Sequence, residues 1–205
     1  RRALIHSGEE GDMSQGISLI VGLGNPGAEY AETRHNAGFR FLDVLLDATG
    51  EKLRAESRFT ANAGKINLSG KDIWLLEPQT FMNHSGESVS KFAHYYKIPA
   101  SEILVAHDDL DLPPGTIRLK VGGGDGGHNG LSDITEKLGT SDYARLRIGI
   151  GHPGNAAQVV SYVLRKAPAS EQTMIDAAIR HGKANLAEIV HGEFQKVMNS
   201  LHTHK

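Results

Sequence analysis

The sequence predicts an α/β fold, a single-domain sandwich in which a mixed, partly parallel, twisted sheet is flanked by helices. Three observations predict it. Short apolar runs alternate along the chain with stretches whose apolar residues recur at helical spacing. The length of 205 residues, with 39% hydrophobic and 22% charged residues, fits one globular domain. Glycine supplies 24 positions, about 12% against a usual value of about 7%, with no G-X-Y period. These glycines therefore mark local sites where the backbone must turn or approach closely.

The elements follow in order. Ile17-Ser18-Leu19-Ile20-Val21 reads as a buried strand ending at Gly22. Phe41, Leu42, Leu45 and Ala48 fall at helical spacing with Gly50 as a stop, which predicts a helix over 36–49. Arg58 to Leu68 and Lys71 to Leu76 flank Ser69-Gly70 as a hairpin. A second helix is expected from Ser85 to Tyr96, then a buried strand over 103–106 ending at His107-Asp108-Asp109. Thr116 to Val121 alternates as a strand, Asn129 to Leu138 forms a helix closed by Gly139, and Arg145 to Ile150 is a strand with basic residues on one side. After Pro168 the pattern is helical, with one stripe from Ile175 through Ala178, Ile179, Gly182 and Leu186 to Ile189, and another of Phe194, Val197, Met198 and Leu201. These C-terminal helices are expected to pack near the cleft.

Residues 1–12 read as a leader or vector-derived segment outside the fold, and residues 13–205 as the domain. Ala3-Leu4-Ile5 is too short an apolar core for a signal peptide. No apolar run approaches the roughly 20 residues that span a bilayer. The absence of cysteine excludes disulfides, thiolate metal sites and a cysteine nucleophile, and suits the cytoplasm. A formal net charge of −2 gives no sign of a nucleic-acid partner, so any such partner must meet a local basic patch, for which Arg118, Lys120, Arg145, Arg147, Arg165 and Lys166 are candidates.

Several segments can carry chemistry. Gly22-Leu23-Gly24-Asn25-Pro26-Gly27 matches G-x-G-x-x-G after a strand, but a dinucleotide fold places an acid at the end of a second strand, whereas Asp43 and Asp47 lie within the expected helix. Pro26-Gly27 reads more simply as a turn, which leaves Asn25 unexplained. Gly122 to Gly130 is a second glycine-rich loop, without the Gly-Lys-Ser/Thr end of a P-loop; its backbone N–H groups are placed to receive an anion or a substrate backbone, and Asn129 is placed as an N-cap. His35, in Thr33-Arg34-His35-Asn36, gains meaning only with a partner, and His107-Asp108-Asp109 supplies candidates at a strand's carboxyl end. A metal site would recruit His35, His107, Asp108 and His128, though no close ligand pair fixes one. No G-x-S-x-G elbow occurs.

Taken together, these segments closely resemble the bacterial peptidyl-tRNA hydrolase family. The matching stretches are Val21 to Gly27 with Tyr30, Thr33 to Gly38, Thr80 to Asn83 with Ser85-Gly86, Asp108 to Pro114, Gly122 to Leu131, and Arg145 to Gly151. They run in the family's order from about residue 17 to 154. The resemblance implies hydrolysis of the ester between a peptide and the 3′-terminal ribose of tRNA. It implies His35 as the general base on water, Asp108 as its orienting carboxylate, and Asn25, Asn83 and Asn129 as polar contacts around the ester. Tyr30, Phe81 and Met82 would line the peptide or 3′-end groove, with His128 beside Asn129. Lys120 and Arg147 would clamp the tRNA 5′-phosphate. Asn25 is expected to act as a neutral acceptor that distinguishes a peptide amide from a free ammonium. The implied partner is peptidyl-tRNA, met through its acceptor stem, 3′-CCA end and peptide; the implied state is a monomer without cofactor or metal. Two departures stand out. Ser132 replaces a common lysine, and Asp125 puts a negative charge in the glycine loop. A metal-dependent hydrolase and a non-catalytic RNA-binding module are the competing readings, separated by chelator sensitivity and by turnover that depends on His35.

Overall fold

A computed structural model describes residues 16–203; the leader expected over residues 1–12 lies outside them. Strands β1 (Leu19–Gly22), β2 (Arg54–Glu56), β3 (Ala61–Leu68), β4 (Lys71–Pro78), β5 (Ile103–Asp109), β6 (Ile117–Val121) and β7 (Ala144–Gly149) form one sheet in the order β2-β3-β4-β1-β5-β7-β6. The central strands β4, β1, β5 and β7 run parallel, and β2, β3 and β6 extend the two edges antiparallel. Helices α1 (Ala37–Thr49), α5 (Ala169–Ala184), α6 (Leu186–Val190) and α7 (Phe194–Thr203) cover one face, while α2 (Ser85–Tyr95) and α3 (Asn129–Leu138) cover the other. Between β7 and α5 lies a five-residue helix, α4 (Val159–Val163).

Period-2 alternation explains why the central strands read as unbroken apolar runs. In β1, Ile20 joins the cluster of Phe41, Leu42 and Ile179, whereas Leu19 and Val21 join Phe92, Leu131 and Ile134. In β5, Leu104 and Ala106 face the first cluster, and Ile103 and Val105 the second. Both faces of each strand are buried, so the run up to the carboxyl end, where β5 turns polar at His107, is apolar.

The glycines of the first turn serve the packing of the protein on itself. A Cβ on Gly38, in the first turn of α1, would stand 2.3 Å from Ala106 O and 2.4 Å from Leu23 N; one on Gly22 would stand 2.4 Å from Gly38 O. The helix therefore lies directly on the carboxyl ends of β1 and β5. The chain after α1 enters the antiparallel β2–β3 edge rather than a neighbouring parallel strand, so the G-x-G-x-x-G match is not a dinucleotide fingerprint. Gly50 (φ 72°) and Gly139 (φ 76°) close α1 and α3 in the left-handed conformation, as expected.

Four elements differ from expectation. β3 starts at Ala61, because Ser57–Phe59 form a 3₁₀ turn and Thr60 adopts φ 49°. The exposed, three-residue β2 carries no periodicity to read. β5 continues to Asp109, since its pairing with β7 runs on to Gly149. The stripe from Ile175 to Ile189 is broken at Asn185, whose side chain donates to His181 O at 2.9 Å between α5 and α6. Among the described residues no helix is long and apolar enough to cross a membrane.

Gly38→Ala should destabilise the fold by about 1–3 kcal/mol or more in urea unfolding, because the backbone atoms it meets cannot yield. Gly124→Ala, with nothing within 4 Å, should stay within about 0.5 kcal/mol of the parent.

Candidate active site

Parallel sheets leave a crevice at the carboxyl ends of their strands. Here Gly22 of β1 pairs with Ala106 of β5, and the loops leaving β1, β4 and β5, together with the glycine loop before α3, enclose a cleft of about 290 Å³. Asn25, His35, Phe81, Met82, Asn83, Asp108, His128 and Asn129 all line it. Residues spread over more than a hundred positions are thus brought together.

The centre is the Asp108 carboxylate, 3% exposed at the end of β5. His35 Nδ1–H donates to Asp108 Oδ2 at 2.8 Å, and His128 Nε2–H donates to Oδ1 at 2.8 Å. Burial alone would raise the carboxyl pKa, but attraction to His35 and His128 and their hydrogen bonds outweigh it and hold the group well below the usual carboxylate range. His35 is pushed down by burial and up by the charge and hydrogen bond of Asp108, with a net rise above 6.5. With Nδ1 committed to Asp108, Nε2 of His35 carries the lone pair and has no partner among the described residues.

His128 is also the N-cap of α3: its Nδ1 accepts the N–H groups of Gly130 at 3.1 Å and Leu131 at 3.3 Å. The cap expected of Asn129 is therefore made by His128, and Asn129 is the exposed first residue of the helix. Because Nδ1 accepts, Nε2 must carry the proton. His128 thus donates to Asp108 while it lines the cleft beside Asn129. The same argument bears on the metal reading. His35, Asp108 and His128 present ligand atoms within 4.8 Å of one another. A protonated Nε2 has no lone pair to offer, and releasing it would require uncapping α3. His107 also borders the cleft, its Nδ1–H donating to Asp108 O at 2.8 Å. Its burial and the neighbouring His128 lower its pKa to about 4, so it is neutral at neutral pH. These residues fit a hydrogen-bonded His–Asp–His array and not a metal-ligand set.

The loop after β1 is pinned by amides. The Asn36 side chain accepts from Asn25 N at 2.9 Å and donates to Asn25 O at 3.0 Å, which fixes the turn carrying His35 against Asn25. Asn25 Oδ1 in turn accepts the N–H of Met82 at 2.7 Å. That bond orients the Asn25 amide and leaves both its Nδ2 donor and the second lone pair of Oδ1 to the cleft. Met82 is buried, Phe81 is 59% exposed on the rim, and half-buried Tyr30 packs edge-on against Phe81 with ring centres 6.4 Å apart. Tyr30 supports the rim from outside the cleft lining. The facing wall, Val159, Val160, Val163 and Leu164 of α4 and its C-terminal end, was not anticipated; its one signal is an apolar i, i+3, i+4 spacing over fewer than two turns. Of the helices after β7, α4 borders the cleft, while α5, α6 and α7 contribute to the core.

Beside the cleft, a depression of about 70 Å³ is lined by Lys120, Arg147, Arg145, His107, Asp109 and Asp125, among others. Lys120 lies along the glycine loop: a Cβ on Gly123 would stand 2.8 Å from its Nζ. Arg147 Nε donates to Asp109 Oδ2 at 2.7 Å. The other candidate cations are differently employed. Arg145, 1% exposed, donates to Gly122 O and Gly123 O and stacks on Tyr143, so it anchors the glycine loop and is no part of a surface patch. Arg118 donates to Leu201 O at 2.8 Å, and Lys166 pairs with Glu32. Within the loop, Asp125 accepts the N–H of Gly127 through its side chain and that of His128 through its carbonyl, so these two N–H groups are not available to an anion.

A family model described as peptidyl-tRNA hydrolase matches residues 19–205. The chain is 53% identical to the peptidyl-tRNA hydrolase of Teredinibacter turnerae, over 93% of this chain and 100% of that one. The chain belongs to the peptidyl-tRNA hydrolase family. Identity to the Coxiella burnetii protein of the same name is 52%, again over 93% of this chain and all of that one. A crystal structure of peptidyl-tRNA hydrolase from Acinetobacter baumannii matches with a TM-score of 0.90 at 50% identity, covering 93% of this chain and 97% of that chain. The mixed seven-stranded sheet flanked by helices is thus the peptidyl-tRNA hydrolase fold. The two departures noted from the family pattern, Ser132 on the exposed side of α3 and Asp125 in the loop, leave the His–Asp–His array untouched.

Asp108→Asn removes the charge that raises the His35 pKa and leaves the burial that lowers it. The His35 titration, followed by NMR of its ring protons, should move from above 6.5 in the parent to below 6.5 in the variant. An unmoved midpoint would show that Asp108 does not govern this imidazole.

Proposed function

We propose that this peptidyl-tRNA hydrolase cleaves its ester substrate by general-base activation of water at His35 Nε2, with Asp108 as the orienting carboxylate. What carries this reading is the 2.8 Å bond between His35 Nδ1 and Asp108 Oδ2, which leaves the opposite ring nitrogen unpartnered in the cleft. The substrate is peptidyl-tRNA, and the bond broken joins the peptide's terminal carbonyl to the 3′-terminal ribose oxygen. Nε2 takes a proton from water as the water oxygen attacks the carbonyl carbon. Asp108 stabilises the imidazolium that results. When the tetrahedral intermediate collapses, the imidazolium returns the proton to the departing ribose oxygen, freeing tRNA and peptide.

Amide donors serve the developing oxyanion and the peptide backbone. Asn25 Nδ2 is oriented by the bond its own Oδ1 accepts from Met82, so it meets the transition state without reorganising. Asn83 and Asn129, both exposed and lining the cleft, contact the peptide backbone and the 3′ end. Phe81 and Met82 line the groove on one side, with Tyr30 packed edge-on against Phe81. The working unit on this reading is a monomer, and the reaction belongs in the cytoplasm, where its substrate arises.

His35→Ala should lower turnover by about 10²–10⁴-fold or more while the circular dichroism spectrum is retained. Release of N-acetylated amino acid from tRNA measures it. EDTA should leave parent activity unchanged; loss in chelator would favour the metal reading. Since the base must be unprotonated and its pKa is raised, the acid limb of kcat/KM should have its midpoint above 6.5, with activity lost below it.

Lys120 and Arg147 border one depression next to the cleft and are proposed to hold the tRNA 5′-phosphate. Alanine at either position should raise KM for full-length substrate more than it lowers kcat, and flatten the salt dependence by roughly one counterion. A peptide ester of adenosine alone, which lacks that phosphate, should be hydrolysed as by the parent. Equal impairment of the short and full substrates would place these cations elsewhere in the machinery.

A further inference from the structure

Arg34 stands next to the base, yet the chemistry above makes no use of it. It is 6% exposed, and no carboxylate among the described residues pairs with it. Its guanidinium carbon lies 3.7 Å from the centre of the Tyr162 ring, and Nη1 donates to Tyr162 O at 2.9 Å. The contact continues along the backbone: Arg34 N–H donates to Arg165 O at 3.1 Å, and Thr33 makes an antiparallel bridge with Lys166. Tyr162 is fixed from its far end, with Oη–H donating to Ile150 O at 2.7 Å just beyond β7.

Burying a guanidinium without an anion is costly, and a cation stacked on an aromatic ring gains most when both are desolvated. What this contact joins explains its presence. On one side is the turn Arg34–Asn36, which carries His35. On the other is α4, which presents Val159, Val160 and Val163 to the cleft. A helix of five residues has no stability of its own and must be held by tertiary contacts. The same turn is tied through Asn36 to the loop of Asn25. His35 therefore sits between two ties: Asn36 fixes it to the Asn25 loop, and Arg34 fixes it to the apolar wall.

We propose that Arg34 is a positioning residue: its stack on Tyr162 locks the His35 turn to the α4 wall and so sets the aim of the imidazole at the water it activates. This rests on His35 as the base. Arginine is required because its planar guanidinium stacks on the ring while donating to the backbone carbonyl; a lysine ammonium keeps the charge but loses that geometry.

The test compares Arg34→Lys, Tyr162→Leu, Tyr162→Phe and His35→Ala on N-acetyl-aminoacyl-tRNA, at a temperature where each is folded. Arg34→Lys and Tyr162→Leu should each lower kcat by about 10- to 100-fold, the range expected when a reacting group is misplaced by about 1 Å, with a smaller change in KM. Tyr162→Phe, which keeps the ring and the carbonyl acceptor, should stay within about 3-fold of the parent, and the double variant Arg34→Lys/Tyr162→Leu should be no worse than either single one. The NMR signal of the His35 Nδ1 proton, held by Asp108, should exchange with water faster in Arg34→Lys than in the parent. Parent-like kcat in both Arg34→Lys and Tyr162→Leu, or unchanged proton exchange, overturns the proposal. Should Arg34→Lys fail to fold, Tyr162→Leu, which leaves Arg34 in place, decides it. If His35→Ala keeps activity, the base assignment fails, and proton exchange still judges the clasp independently of turnover.

Discussion

A carboxylate taken out of water must be surrounded by donors, and most of the site follows from how Asp108 meets that demand. Each oxygen accepts from one imidazole at 2.8 Å, and the two imidazoles come from segments 73 positions before and 20 positions after it. Removing one partner of a buried charged group costs about 3–5 kcal/mol, so the array is a constraint on folding as well as on chemistry. His128 extends the constraint further. The ring nitrogen that does not face Asp108 caps α3, so the start of that helix and the orientation of the carboxylate are set by a single tautomer. Buried His107 packs against His128 with ring centres 5.1 Å apart and stays uncharged at neutral pH.

That array forms only if α1 begins almost in contact with the strand ends. The turn holding His35 directly precedes α1, and Asp108 lies two residues beyond Ala106, whose carbonyl sits against Gly38. A side chain at Gly22 or Gly38 would push the helix outward and stretch the His35–Asp108 bond beyond hydrogen-bonding length. The glycines of the first turn and the His35–Asp108 pair are thus one requirement expressed at two levels: close packing of backbone, then alignment of side chains.

The sequence made some of this legible and hid the rest for definable reasons. Strands buried on both faces leave unbroken apolar runs, and helices closed by left-handed glycines leave stops, so β1, β5, α1 and α3 were readable to within a few residues. The separate motifs of His35, Asp108, Asn25, Asn83 and Asn129 named the residues of the cleft, but not which atom of each was already engaged. At Asn25 the motif does not show that a backbone N–H from Met82, 57 positions away, donates to its side-chain oxygen. Arg145 looked like a surface cation because alternation on β7 places it beside Arg147; two loop carbonyls and a tyrosine ring bury it. The α4 wall was invisible because a five-residue helix is too short for periodicity and is held by contacts made far away in sequence.

The electrostatics of the tRNA side can be argued from the same geometry. A chain of net charge −2 has no general attraction for a polyanion, and of the basic residues near the glycine loop Arg145 is buried and Arg147 already has a carboxylate partner. Yet Asp109 engages Nε of Arg147 alone, which leaves the guanidinium's two terminal nitrogens without a partner among the described residues. Those terminal nitrogens are the ones that a phosphate can meet in the fork geometry of a guanidinium. The effect of the Asp109 bond is orientation, because it fixes the plane of the fork before the ligand arrives and reduces the rotamer entropy lost on binding. On the proposed reading, Asp109 therefore aims the cation, while Asp108, its neighbour on β5, aims the base. One strand end then aligns both ends of the substrate: the phosphate that positions the tRNA and the ester that is cut.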